Sequence, residues 1–178
     1  MGRRGALPLA ALVLFACAGC WIGSGDRKTY RVPSSGMEPT IHCAKPAPGC
    51  LARKEDRIVV DTTVEELRRG DVVAFETPPA ALTMCGSNGI YVKRVVGLPG
   101  ETVVERAHGL VYVDGKRLRE PYLAASRRDD GVVGTWRVPR GRYFVLGDNR
   151  AFSCDSRRWG SVPRANVVGR VVEIEHQR

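Results

Sequence analysis

Tyr91-Val92-Lys93-Arg94-Val95-Val96-Gly97-Leu98-Pro99-Gly100-Glu101 is a run of aromatic and β-branched residues closed by a Gly-Leu-Pro-Gly turn. Such residues suit a pleated, half-buried strand, and glycine with proline ends it. Working outward, the same two-residue periodicity recurs at 57–60, 72–75, 102–104, 110–113, 143–146 and 167–174, besides 91–96 itself. Val113-Asp114-Gly115-Lys116 carries an Asp-Gly turn, which makes 109–118 a β-hairpin. Helical periodicity is rare. Residues 63–69 read as a helical turn, with Thr63 as cap and Glu65 and Glu66 near its positive end. The fold class is mainly β, an antiparallel sheet with a small inserted lobe at about residues 105–138, where the chain is more polar. Arg127-Arg128-Asp129-Asp130-Gly131 reads as a solvated loop within that lobe.

The N-terminus places the domain. Met1-Gly2-Arg3-Arg4 precedes an apolar run over residues 6–22, and the polar Gly23-Ser24-Gly25-Asp26-Arg27-Lys28 follows. A basic flank before an apolar segment is an export signal, and the arginines stay on the cytoplasmic side. Residues 1–28 are therefore assigned as a signal or anchor segment and 29–178 as the domain, outside the cytoplasm. The run is compatible with an uncleaved anchor, a cleaved signal, or a lipoprotein acylated at Cys17 or Cys20. In an oxidising compartment the four later cysteines, Cys43, Cys50, Cys85 and Cys154, allow three pairings. No CxxC or histidine pair accompanies them, so the cysteines give no zinc signature. The formal net charge of +9 suits an anionic surface. Nucleic acid is not the expected partner, because no nucleic-acid-binding motif accompanies the charge.

Three segments gather chemistry: Val32-Pro33-Ser34-Ser35-Gly36-Met37-Glu38-Pro39-Thr40, the segment around Lys93, and Gly147-Asp148-Asn149-Arg150-Ala151-Phe152-Ser153-Cys154-Asp155-Ser156-Arg157-Arg158-Trp159-Gly160. Singly they read as a turn, an edge charge and a polar loop. Together with Gly70-Asp71-Val72-Val73-Ala74-Phe75, and in this order after an N-terminal apolar segment, they resemble the type I signal peptidases over about residues 30–168.

That resemblance implies a signal-peptidase-like fold and a serine–lysine dyad, in which a neutral lysine takes the proton of a serine that attacks the scissile carbonyl. Lys93 matches the base. An amine of ordinary pKa is protonated at neutral pH, so the base has to be desolvated, and Tyr91, Val92, Val95 and Val96 can wall it off. Ser153 matches the serine that orients the lysine, Asp155 and Arg157 the ion pair that holds their loop, and Ser34 the side-chain donor to the oxyanion. The chain departs from the family at the nucleophile. An ungapped match puts Gly36 there, and glycine has no hydroxyl.

Three readings follow: Ser35 serves as nucleophile after a rearranged turn, the chain is a non-cleaving homologue that binds signal peptides, or a serine has been altered. The reading adopted is a signal peptidase I-like endopeptidase with Lys93 and Ser35 as the dyad, the alternative being the inactive peptide-binding homologue. A structural envelope lipoprotein requires the matching boxes to be coincidental. The implied partners are signal peptides of exported proteins, cut after small residues, and membrane lipid; no metal or organic cofactor is called for. Met37 is expected to face lipid or peptide, or to be buried core. The expected disulfides are Cys43 with Cys50, closing a short loop, and Cys85 with Cys154, tying the approach to Lys93 to the loop of Ser153.

Overall fold

A computed structural model describes residues 26–129 and 131–177. The apolar run at 6–22, with Cys17 and Cys20, and Asp130 in the 127–131 loop lie outside the described residues. Along the chain come β1 (Arg27–Arg31), β2 (Arg57–Asp61), β3 (Val72–Glu76), α1 (Pro79–Cys85), β4 (Ile90–Gly97), β5 (Thr102–Arg106), β6 (Leu110–Val113), β7 (Lys116–Arg117), β8 (Gly134–Arg137), β9 (Arg142–Leu146), α2 (Ser156–Trp159), β10 (Val162–Pro163) and β11 (Val167–Glu175). Among the described residues no helix is long and apolar enough to cross a membrane.

Two antiparallel sheets result. The larger runs β1-β2-β11-β3-β4-β9-β10 and the smaller β7-β6-β5-β8. In β3 and β4 alternation decides the faces, since successive side chains point oppositely. Val73, Phe75 and Val95 join Tyr143, Val145 and Trp159 in one core cluster. Ala74 and Val92 join Met37, Ile41, Ile58 and Val60 in a second, and Val96, Phe144 and Leu146 meet Val103 and Val111 of the smaller sheet in a third. Met37 is thus a core residue, 1% exposed, and faces neither lipid nor peptide. Gly97 lies where β4 turns toward β5. A side-chain carbon there would come within 2.6 Å of Val103 and 2.9 Å of Val138 and Phe144, so glycine permits the close approach of the two sheets.

Two expectations are corrected. Residues 63–69 form no helix. The Asp61 carboxylate accepts from the Thr63 amide and hydroxyl at 2.9 and 2.7 Å, so Thr63 closes a turn rather than capping a helix. The carbonyls of Val64 and Glu65, which a helix would use internally, accept from Arg164. The charged loop at 127–131 is not simply solvated either, because Arg128 pairs with Glu120 and Asp129 with Arg157.

Both disulfides are formed as expected, Cys43 with Cys50 and Cys85 with Cys154, with Cα separations of 5.0 and 6.0 Å. The second joins the C-terminal end of α1 to the loop before α2, so distant segments frame one cleft.

Candidate active site

Ser35–Met37 form a single 3-10 turn against β4. The loop between β9 and α2 fixes that turn from the other side. The Asn149 amide donates to the Gly36 carbonyl at 3.1 Å, and Asn149 Nδ2 to the Ser35 carbonyl at 2.9 Å. Gly147 lets them meet. A side-chain carbon there would collide with Ser153 Oγ and with the Gly36 carbonyl oxygen.

Lys93 is 5% exposed and its Nζ donates to the Val92 carbonyl at 3.0 Å, 5.3 Å from the centre of the Tyr91 ring. Burial lowers its pKa to about 8, while Asp155 and Asp148 oppose that shift. An appreciable fraction is therefore neutral near physiological pH, as a general base requires.

Position 36 faces this amine. A side-chain carbon built on Gly36 would lie 3.2 Å from Lys93 Nζ and 3.7 Å from Ser153 Oγ. Ser153 Oγ is buried and has no hydrogen-bond partner. Ser153 is thus brought to the base without being bonded to it; both point at the space beside Gly36. Ser35 also borders the cleft, but its side chain turns toward Gly49. Its Oγ lies 3.0 Å from where a side-chain carbon on Gly49 would stand, so its hydroxyl packs on the loop closed by Cys43–Cys50. Ser34 is exposed and lines the same cleft as Gly36 and Lys93, a volume of about 370 Å³.

Buried charge holds the frame. Asp155 accepts from Arg157 Nε at 2.8 Å and Nη2 at 3.0 Å, and from the Gly147 amide at 3.1 Å. This fork-to-fork pairing fixes a guanidinium and a carboxylate in one plane. Several further residues share the work. Arg94 donates to both oxygens of Asp148 at 2.9 and 2.6 Å, and Thr40 Oγ1 reaches the same carboxylate at 2.5 Å. These bonds link β4, the turn and the β9–α2 loop. Arg150, fully buried, pairs with Glu120, and Arg157 also lies 3.5 Å from Glu105. Glu105 has both oxygens buried without hydrogen-bond partners, and desolvation raises its pKa to about 7 despite the pull of Arg157 and Arg150. Charged residues embedded between apolar ones, as in Val92-Lys93-Arg94-Val95, were the available signal. Glu105 and Glu120 had none, because their partners are remote in sequence.

Comparison with known proteins identifies the family. The family model described as "Signal peptidase, peptidase S26" matches residues 6–174. The chain belongs to the signal peptidase family. It is similar to the probable signal peptidase I-2 of Synechocystis sp., 39% identical over 142 residues, covering 78% of this chain and 58% of the relative. Signal peptidase I T of Bacillus subtilis is 35% identical over 152 residues, covering 79% and 69%. A crystal structure of a signal peptidase I from Enterococcus faecalis shows the same fold with a TM-score of 0.50 at 36% identity, covering 62% of this chain and all of the other. The matched region spans about three fifths of the Synechocystis relative's length. Within the family, then, the turn, β4 and the β9–α2 loop converge here with Gly36 opposite Lys93.

Proposed function

We propose that the protein engages the signal-peptide end of exported proteins in the cleft between the Ser35–Met37 turn and Lys93, at a membrane surface outside the cytoplasm. Membership of the signal peptidase family supports this substrate class. So does the apolar rim of the cleft, where Ile90 and Phe152 are exposed, with Leu82 and Met84 exposed on nearby α1. One observation bears most directly on the chemistry. The position that faces the buried amine and Ser153 carries no oxygen, and the Ser35 hydroxyl lies against Gly49. The reading this geometry supports best is a peptide-binding member of the family in which the base and its frame are assembled and the nucleophile is missing.

The endopeptidase reading, with Lys93 and Ser35 as dyad and Ser34 as oxyanion donor, keeps one observation in its favour. Lys93 is poised as a base, with its pKa near 8. It requires Ser35 to leave Gly49 and cross the turn, since a nucleophile has to come within hydrogen-bond reach of its base.

The test is photo-crosslinking of a model preprotein carrying a photoreactive residue beside its cleavage bond, in detergent or vesicles. The expected outcome is a crosslink to the cleft that is lost when the signal peptide is deleted, with the preprotein intact. Absence of any signal-peptide-dependent crosslink contradicts peptide engagement; a cut preprotein whose cleavage Ser35→Ala abolishes establishes the second reading.

A further inference from the structure

The chain contains three histidines, and folding brings two of them together at a place the peptide cleft does not use. The rings of His42, just after the turn that carries Gly36, and His176, just beyond β11, have centroids 5.4 Å apart. Asp56 completes the group, and one ligand atom from each of the three lies within 4.8 Å of the others.

Each member is prepared for a cation in its own way. Asp56 is 1% exposed, and its Oδ2 is aimed by the His42 amide at 2.7 Å while Oδ1 accepts from the Gln177 amide at 3.3 Å. His42 Nδ1 is held at 2.8 Å by Glu38 Oε2, and Glu38 is fully buried. A carboxylate on one ring nitrogen orients the ring, fixes its tautomer and leaves Nε2 as the ligand, the usual arrangement behind metal-bound histidine. His176 Nδ1 lies 2.8 Å from Asp56 Oδ2, and its side chain, more than half exposed, leaves a route for an ion from solvent.

We propose that His42, Asp56 and His176 form a binding site for a divalent transition-metal ion, with zinc as the best fit. Two imidazole nitrogens, a carboxylate oxygen and a water make the tetrahedral nitrogen and oxygen set that zinc takes, whereas calcium and magnesium want oxygen alone. Ligand atoms about 2.0–2.2 Å from zinc lie within about 3.5 Å of one another. The separations here, up to 4.8 Å, have to shorten on binding, and the exposed His176 side chain has room to move. The bound ion fastens the C-terminal end of β11 to the segment of Glu38 and His42, and so steadies the turn bearing Gly36. The site does not depend on whether signal peptides bind or are cut. Its histidines lie at opposite ends of the domain, so no local spacing in the sequence marks it.

The experiment uses the full chain without an affinity tag, stripped with chelator and titrated with zinc by calorimetry, and with cobalt(II) by its visible absorption. The expected result is one equivalent bound with micromolar or tighter affinity, a four-coordinate cobalt spectrum, and a melting temperature several degrees higher with saturating zinc. His176→Ala and His42→Gln each lower the affinity at least tenfold and remove the thermal shift; the first alters an exposed side chain and keeps the fold. Binding weakens as the pH falls, because protons compete with the metal for its ligand atoms. No binding by the parent overturns the proposal, and so does binding that both variants retain unchanged.

Discussion

Gly147 sets the closeness of the site. The Gly36 carbonyl and Ser153 crowd the place where its side chain would be, and its amide is held by Asp155. Gly147→Ala is therefore expected to push the β9–α2 loop off the Ser35–Met37 turn, at a cost of about 1–3 kcal/mol typical of overpacking. Urea denaturation reads that loss. Lys93 poses the opposite case, a charge whose burial opposes folding. Its folded pKa of about 8 lies below the ordinary 10.5. Between these values the unfolded chain binds more protons, so stability rises with pH across that window, and the cost is present in full below pH 8. Replacing the amine in Lys93→Met should raise stability at pH 7 by up to roughly 3 kcal/mol, an advantage that fades as the pH approaches 10.5. Thermal melts across that range check the sign.

Among the elements, the strands were the most legible in sequence and the helices the least. The stretch around Lys93 became β4 because its alternation served two cores at once, and the segments at 72–75 and 143–146 became the paired β3 and β9 for the same reason. β1 and β8 were not read, since Arg27–Arg31 is largely exposed and the four residues Gly134–Arg137 offer only Trp136 as an apolar side chain toward a core. The helix α1 was missed although Pro79 at its start and Gly86 in the left-handed region after its end punctuate it. At 63–69 the acidic residues suggested a helix, but a side chain from the distant Arg164 took the carbonyls, which no local rule foresees. The link between α1 and the Ser153 loop is the Cys85–Cys154 disulfide, which spans 69 residues. A loop of that size constrains the unfolded chain, so Cys85→Ser/Cys154→Ser should lose about 2–4 kcal/mol of stability. Comparing denaturant midpoints of the oxidised parent and the double variant measures it. An unchanged midpoint would mean that the apolar packing of α1 alone holds the two segments.

At the scale of the whole domain, two antiparallel sheets, two disulfides and a network of buried charge among the described residues set the Lys93 amine opposite Gly36. The groups around that amine could be named from the three sequence boxes because they are local to them. Which way Ser35 points could not, since that depends on Gly49 across a disulfide-closed loop. Nor could the sequence say whether Gly36 would accept a side chain. It does not lie in the left-handed region, so an L-residue suits its backbone. The added carbon would sit 3.2 Å from the far end of the Lys93 side chain, a contact that a shift of a few tenths of an ångström in the amine relieves. The most direct test is cleavage of a model preprotein by the membrane-reconstituted parent and by Gly36→Ser, followed from pH 6 to 10. The expected result is no cut by the parent and signal-peptide removal by Gly36→Ser, with a rate that rises through pH 8 as Lys93 loses its proton and that vanishes in Gly36→Ser/Lys93→Ala. A folded Gly36→Ser protein that leaves every preprotein intact, or a parent that cleaves as fast as the variant, would contradict it.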